Sequence, residues 1–136
     1  PKWSSIWSNL HRVPPVYDQT AAHCGVELPL YNEYQGTLED EDKNLAAARA
    51  LGNARWALLA NHGSLVVGKD LRQAHLRAIT LEWRSKRAYE VEVAGGGVPL
   101  TEAQIAAIAL PDANGFPFLW EAMARRELRE DPSILE

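Results

Sequence analysis

Asn61-His62-Gly63 lies between two apolar runs, Trp56 to Ala60 and Ser64 to Gly68. Two short apolar runs around such a tripeptide predict a pair of buried strands joined by a tight turn. Gly63 lets the backbone turn sharply and lets another group come close. Asn61 tolerates unusual backbone angles and can hydrogen-bond its own turn. The His62 imidazole is therefore expected on a rigid turn, a placement that suits a metal ligand, since neutral imidazole is the commonest ligand for transition metals. The alternative is a structural turn histidine satisfied by backbone.

A catalytic zinc site takes three protein ligands and an open position. The other histidines are His11, His23 and His75, and they form no H-x-H or H-E-x-x-H pattern. His75 falls in a helical pattern and reads as a packing or surface residue. His11 falls at a helix end, where a cation complements the dipole. A metal site built on His62 thus needs ligands from outside these residues. One imidazole cannot set zinc geometry, so the chain alone is expected to bind metal weakly and to be inactive.

Tyr17 and His23 flank Asp18, in a Pro-rich loop leading into a short helix. Each could move a proton if this segment reaches an active site; the competing reading is an ordinary capped turn. Cys24 has no neighbouring cation in the sequence except His23, which gives a nucleophilic role little support. The acidic run Glu39 to Asp42 fits the first turn of a helix, where the dipole favours negative charge. Gly95-Gly96-Gly97 lacks the following Lys-Ser/Thr of a phosphate loop. The five tryptophans read as core or subunit-interface anchors. Arg125, Arg126 and Arg129 sit among Glu121, Glu127 and Glu130, the pattern of a solvated helix or subunit contact.

Around these residues the chain predicts mixed helix and strand. Trp3, Ile6, Trp7 and Leu10 share one helical face, and Val13-Pro14-Pro15 ends it. Asp18 caps a short helix stopped by Gly25. Val26 to Tyr31 reads as a strand and Asn32 to Gly36 as a turn. A helix over 38–51 carries Leu45, Ala48 and Leu51 on one face. Lys69-Asp70 opens the longest helix, with Leu71, Ala74, Ala78, Leu81 and Ala88 as its apolar stripe. Thr101 opens a helix over 101–109, Asn114-Gly115 is a turn, and 116–129 is a last helix closed by Asp131-Pro132.

A chain of 136 residues is read as one domain, long enough to bury a core without disulfides. Hydrophobic content of 46% and charged content of 24% are those of a globular protein. A net charge of −4 supplies no basic field, which argues against a nucleic-acid partner. No apolar run approaches the roughly 20 residues that span a bilayer, and no secretory pattern opens the sequence. The single cysteine fits a reducing compartment, so cytoplasm is expected. Pro1 to Trp7 enters amphipathic sequence at once, as in a chain that begins inside a domain.

The segments together resemble the class II aldolase/adducin family. The closest part runs from Ala57 through Asn61-His62-Gly63 and Lys69-Asp70 to His75, followed by Leu81-Glu82. Pro14-Pro15-Val16, Asp18-Gln19, Val26 to Leu30 and Tyr34-Gln35-Gly36 keep the family order, and Phe116 to Leu135 resembles the C-terminal helix of some bacterial members. The resemblance implies that residues 1–136 are the C-terminal portion of one such domain. The implied fold is a three-layer αβα sandwich with a mostly antiparallel central sheet, assembled as a homotetramer with active sites between subunits. It implies a divalent metal, usually zinc, with His62 as one of three histidine ligands and an H-x-H pair just before the helix at Pro1 to Leu10. It implies aldolase or epimerase chemistry on a small hydroxy-carbonyl compound, a sugar or sugar phosphate. The metal stabilises an enediolate during carbon–carbon cleavage or proton abstraction. A proton donor from the segment matching Tyr17, Asp18 and His23 reaches a neighbouring subunit's site. Two departures bear on substrate. Asp18-Gln19 reverses the common Gln-Asp order, and His23 falls near a position that is acidic in epimerase-like members. The alternatives are a non-catalytic adducin-like assembly module and an iron-dependent oxidative or decarboxylating enzyme.

Overall fold

A central strand buried along its whole length anchors the chain. In the computed structural model, which describes residues 1–33, 41–109 and 117–135, this is β2 (Trp56–Leu59), the middle of three strands. All four of its residues are buried, as expected of a continuous apolar run covered on both faces. It pairs in parallel with β1 (Leu30–Tyr31), Leu30 facing Leu58, and antiparallel with β3 (Gly63–Val66), Trp56 facing Val66. Parallel neighbours need a crossover, and α3 (Glu41–Leu51) lies in the connection from β1 to β2. The fold is mixed α/β, and its small described sheet is mixed as well.

The first helix, α1 (Trp3–Asn9), packs on the β2–β3 hairpin and on the long helix α4 (Leu71–Val93). Next along the chain comes α2 (Gln19–Ala22), packed on α4 and on α5 (Glu102–Ile108). The Thr101 capping box opens α5, its hydroxyl receiving the Gln104 N–H. A last helix, α6 (Pro117–Glu130), returns to α4 and is followed by a 3-10 turn at Pro132–Leu135. The main core joins Trp7, Cys24, Leu28, Trp56, Leu58, Leu81 and Ala88. A second cluster, Val16, Ala21, Ala22 and Ile105, sits under α5.

Several expectations change. The Val26 to Tyr31 strand shortens to Leu30–Tyr31. Asn32 to Gly36 lies partly, and Asn114-Gly115 wholly, outside the described residues. The inner face of α3 is set by Ala47, while Leu45 is 46% exposed. On α4, Leu71 is 76% exposed, and the buried face runs through Gln73, Leu76, Arg77, Leu81, Arg84, Ser85 and Ala88. The two arginines tolerate that face because they bond neighbouring backbone. Arg77 donates to the Val67 carbonyl, and Arg84 donates from Nε to the Pro14 carbonyl at 2.9 Å.

Candidate functional site

The hairpin turn places His62 at one end of β2. The His62 N–H donates to the Leu59 carbonyl at 3.0 Å, closing the turn. Asn61 takes a left-handed backbone with φ 56°, and Gly63 follows at φ 139°. Such angles are open to glycine and tolerated by asparagine, so the tripeptide matches the turn it makes. The side chain of His62 is exposed while Gly63 is buried. A β-carbon on Gly63 would come within 3.7 Å of the Ser5 hydroxyl, so α1 lies close against the turn.

That helix holds the turn at several points. The Asn61 N–H donates to the Ser8 carbonyl at 3.3 Å, and the Ser4 and Ser64 hydroxyls meet at 3.1 Å. Nε2 of His11 lies 2.8 Å from the Asn61 side-chain amide. His11 thus serves the turn, rather than being only a cation at a helix end. The N-terminus of α1 has no local side-chain cap. The Glu82 carboxylate supplies one, accepting N–H bonds from Lys2, Trp3 and Ser4 at 2.9, 2.9 and 2.8 Å. Burial works to raise the Glu82 pKa, but the hydrogen bonds from Ser4, Trp3 and Lys2 outweigh it and hold the carboxyl below its ordinary value.

Tyr17, Asp18 and His23 stand elsewhere, on the segment that packs against α4. Asp18 caps α2 by accepting the Ala21 N–H at 2.7 Å. It also accepts from Trp83 Nε1 at 3.1 Å and from Arg87 Nε at 3.1 Å. Tyr17 packs on the main core, and Gly97 lies against its ring, where an added β-carbon would sit 3.4 Å from Cε1. His23 is half-buried at the C-cap of α2. Within this chain, then, the three residues flank a capped helix on α4, while His62 sits on a turn held by α1.

Cys24 is buried in the core, and its cation is Arg84, a neighbour the sequence did not reveal. Burial pushes the thiol up to about 12, with Arg84 acting in the opposite sense. The same burial lowers the pKa of Arg84, countered by Cys24. Arg84 also donates to the Gly25 carbonyl at 3.2 Å, stapling both ends of the Pro14–Gly25 segment to α4. The signal in the sequence was a charged residue on the helical face shared by Leu81 and Ala88. His75 stacks edge-on against Trp120 with ring centroids 5.3 Å apart, a packing role. Arg126 pairs with Glu127 and Glu130 on an exposed face.

A mixed α/β domain that displays one imidazole on a tight Asn-His-Gly hairpin turn defines a recognisable class. Residues 1–89 match the family described as the Class II Aldolase and Adducin N-terminal domain, and the chain belongs to that family. Its fold is similar to that of an L-fuculose 1-phosphate aldolase from Glaciozyma antarctica, with a TM-score of 0.76 at 22% identity over 96% of this chain and 51% of that one. A second L-fuculose 1-phosphate aldolase gives a TM-score of 0.69 at 22% identity, over 79% of this chain and 50% of that one. The chain thus spans about half the length of these solved structures. No curated protein sequence matches it.

Proposed function

We propose that the protein containing this chain is a metal-dependent lyase of the aldolase type, cleaving a carbon–carbon bond in a small hydroxy-carbonyl compound of the sugar or sugar-phosphate class. The observation that carries the reading is His62, exposed on a turn fixed by backbone bonds, in a member of this family. Its imidazole fits one position of a divalent-cation site. Among the described residues no group of three or more His, Cys, Asp or Glu side chains could hold an ion. The remaining ligands are therefore assigned to residues beyond those described or to another subunit.

Zinc is the preferred ion, since imidazole suits it and three protein ligands leave it an open position. A bound divalent ion supplies Lewis-acid polarisation of a substrate oxygen. What this chain contributes is placement: the turn presents His62 outward, and α1 keeps the turn from moving. The Tyr17 to His23 segment supplies candidate proton donors, offered from one subunit to the site of another. Of these, Asp18 already bonds Trp83, Arg87 and the α2 cap, and Tyr17 and His23 are the other candidates for proton transfer. The reading includes completion of the sheet into a mostly antiparallel αβα sandwich, a homotetramer and a cytoplasmic location.

Elemental analysis of the purified full-length protein, with and without His62→Ala, tests the metal. Cleavage assays over a panel of sugar phosphates test the reaction. About one divalent ion per subunit, lost in the variant together with cleavage, supports the reading. A metal-free protein that still assembles supports the assembly module instead.

A further inference from the structure

Two residues other than glycine have positive φ among the described residues, His11 at 51° and Asn61 at 56°. Left-handed backbone is unfavourable for residues with a β-carbon, although asparagine and histidine occur there more often than most. The two strained residues touch. The Asn61 amide nitrogen lies 2.8 Å from Nε2 of His11, across fifty positions of sequence. The contact is satisfied when the amide donates and the ring carries its proton on Nδ1. The backbones meet as well, since the Ser8 carbonyl accepts the N–H of both His11 and Asn61, at 3.2 and 3.3 Å. The turn that ends α1 and the turn that ends β2 therefore interlock.

Ending α1 does not call for histidine. Glycine takes the left-handed position after a helix with less strain. What glycine lacks is an acceptor for the Asn61 side chain. An outlier kept where a cheaper residue would serve the backbone points to a role for its side chain. The neighbour of Asn61 in the chain is His62, and the angles at Asn61 set the direction in which His62 leaves the turn.

We propose that His11 is a positioning residue for the metal-binding turn: its Nε2 holds the Asn61 side chain, and through it the backbone that aims His62. The proposal rests on the reading of His62 as a metal ligand. Partners bonded directly to a metal ligand typically govern affinity by about 10- to 100-fold, and His11, which acts through the residue beside the ligand, belongs at the lower end.

The test uses the full-length protein in four forms: wild type, His11→Gly, His11→Gln and His62→Ala. Zinc affinity is measured by competition with a chelator, with Zn2+ as the only added ligand. Thermal midpoints are recorded alongside, and exchange of the Asn61 side-chain amide protons is followed by NMR in metal-free protein. His11→Gly is expected to weaken Zn2+ binding by about 10-fold, the lower end of the range for direct partners, and to speed that exchange. Its thermal midpoint should hold or rise, because glycine relieves the left-handed strain. His11→Gln, which carries an amide toward the same place, should restore most of the affinity and the slow exchange. A merely structural histidine would show the reverse, a lower midpoint with unchanged affinity. If His11→Gly binds Zn2+ as wild type does while His62→Ala loses it, the positioning role is overturned and the metal reading stands. If His62→Ala also binds Zn2+ as wild type does, the metal reading fails and the positioning role falls with it.

Discussion

The Glu82 carboxylate accepts the backbone N–H of Ser4 at 2.8 Å across 78 positions of sequence, and those of Lys2 and Trp3 beside it. The long helix thereby caps the first helix, and the first helix braces the His62 turn. Glu82→Ala strands three donors at the start of α1 and is expected to cost about 2 kcal/mol, the upper part of the range for a lost cap. Glu82→Gln keeps one acceptor oxygen and should cost about half as much. Urea unfolding monitored at tryptophan checks both.

The same contact makes stability depend on pH. Folding holds the Glu82 carboxyl below its ordinary value, so the folded chain binds a proton there less readily than the unfolded one. The stabilisation is complete above the ordinary carboxylate range and is lost as pH falls through the depressed folded value. Unfolding free energies measured down that range should fall more steeply for wild type than for Glu82→Gln. Parallel curves would remove Glu82 from the account.

Asp18 should behave as a structural hub. Asp18→Ala removes the α2 cap and the bonds to Trp83 and Arg87, for an expected loss of about 1–2 kcal/mol. Asp18→Asn is as good a cap and loses only the charge toward Arg87, so about 0.5 kcal/mol is expected. Trp83 emission should shift in the alanine variant more than in the asparagine one. If Asp18→Asn abolishes cleavage in the full-length protein while stability holds, Asp18 moves a proton after all.

Much of the fold was legible because short-range physics decides it. The apolar runs beside His62, the Asp18, Asp70 and Thr101 caps and the helical period of α4 all appear where local sequence places them. What stayed hidden depends on contacts across the chain. Nothing near Lys2 says that its helix is capped from position 82. Nothing near His11 says that its ring meets Asn61. Nothing near Arg84 says that bonds to the Pro14 and Gly25 carbonyls hold it buried. On α4 the apolar stripe and the buried face part company because Leu71 is apolar but lies beyond the contact, while Arg77 and Arg84 are charged but bonded within it. The turn sequence itself points to His62, whereas the helix that braces the turn lies about fifty positions away in the chain.

Cys24 should be inert in the folded protein. It is 3% exposed, and burial pushes its thiol up to about 12. The thiolate is the reactive form, so at pH 8 alkylation by iodoacetamide should be negligible without denaturant and rapid in urea. Because the folded pKa is raised, stability from the neutral thiol is intact below the unfolded value and drains away as pH climbs toward the folded one. Fast labelling of the native protein would show that the segment from Pro14 to Gly25 opens readily.

Gly68 should tolerate substitution less than Gly97, although both are tightly packed. A β-carbon on Gly68 would lie 2.6 Å from the backbone nitrogen of Ala74 and 3.1 Å from the Asp70 carbonyl oxygen. Those atoms belong to the first turn of α4, pinned by the Asp70 cap on the Gln73 N–H, and they cannot yield without unwinding the helix start. On Gly97 the closest atom is a side-chain methyl of Val91 at 2.7 Å, with the Tyr17 ring at 3.4 Å. A side chain can shift where a backbone cannot. Gly68→Ala is therefore expected to cost about 3 kcal/mol and Gly97→Ala about 1 kcal/mol, the two ends of the overpacking range. The two should also differ in kind. Gly68→Ala moves the start of α4 and should lower the thermal midpoint without touching Tyr17. Gly97→Ala presses on Tyr17 and should alter its NMR ring signals at nearly unchanged stability. Equal losses in the two variants would mean that the start of α4 is as yielding as a valine side chain, against the cap geometry that pins it.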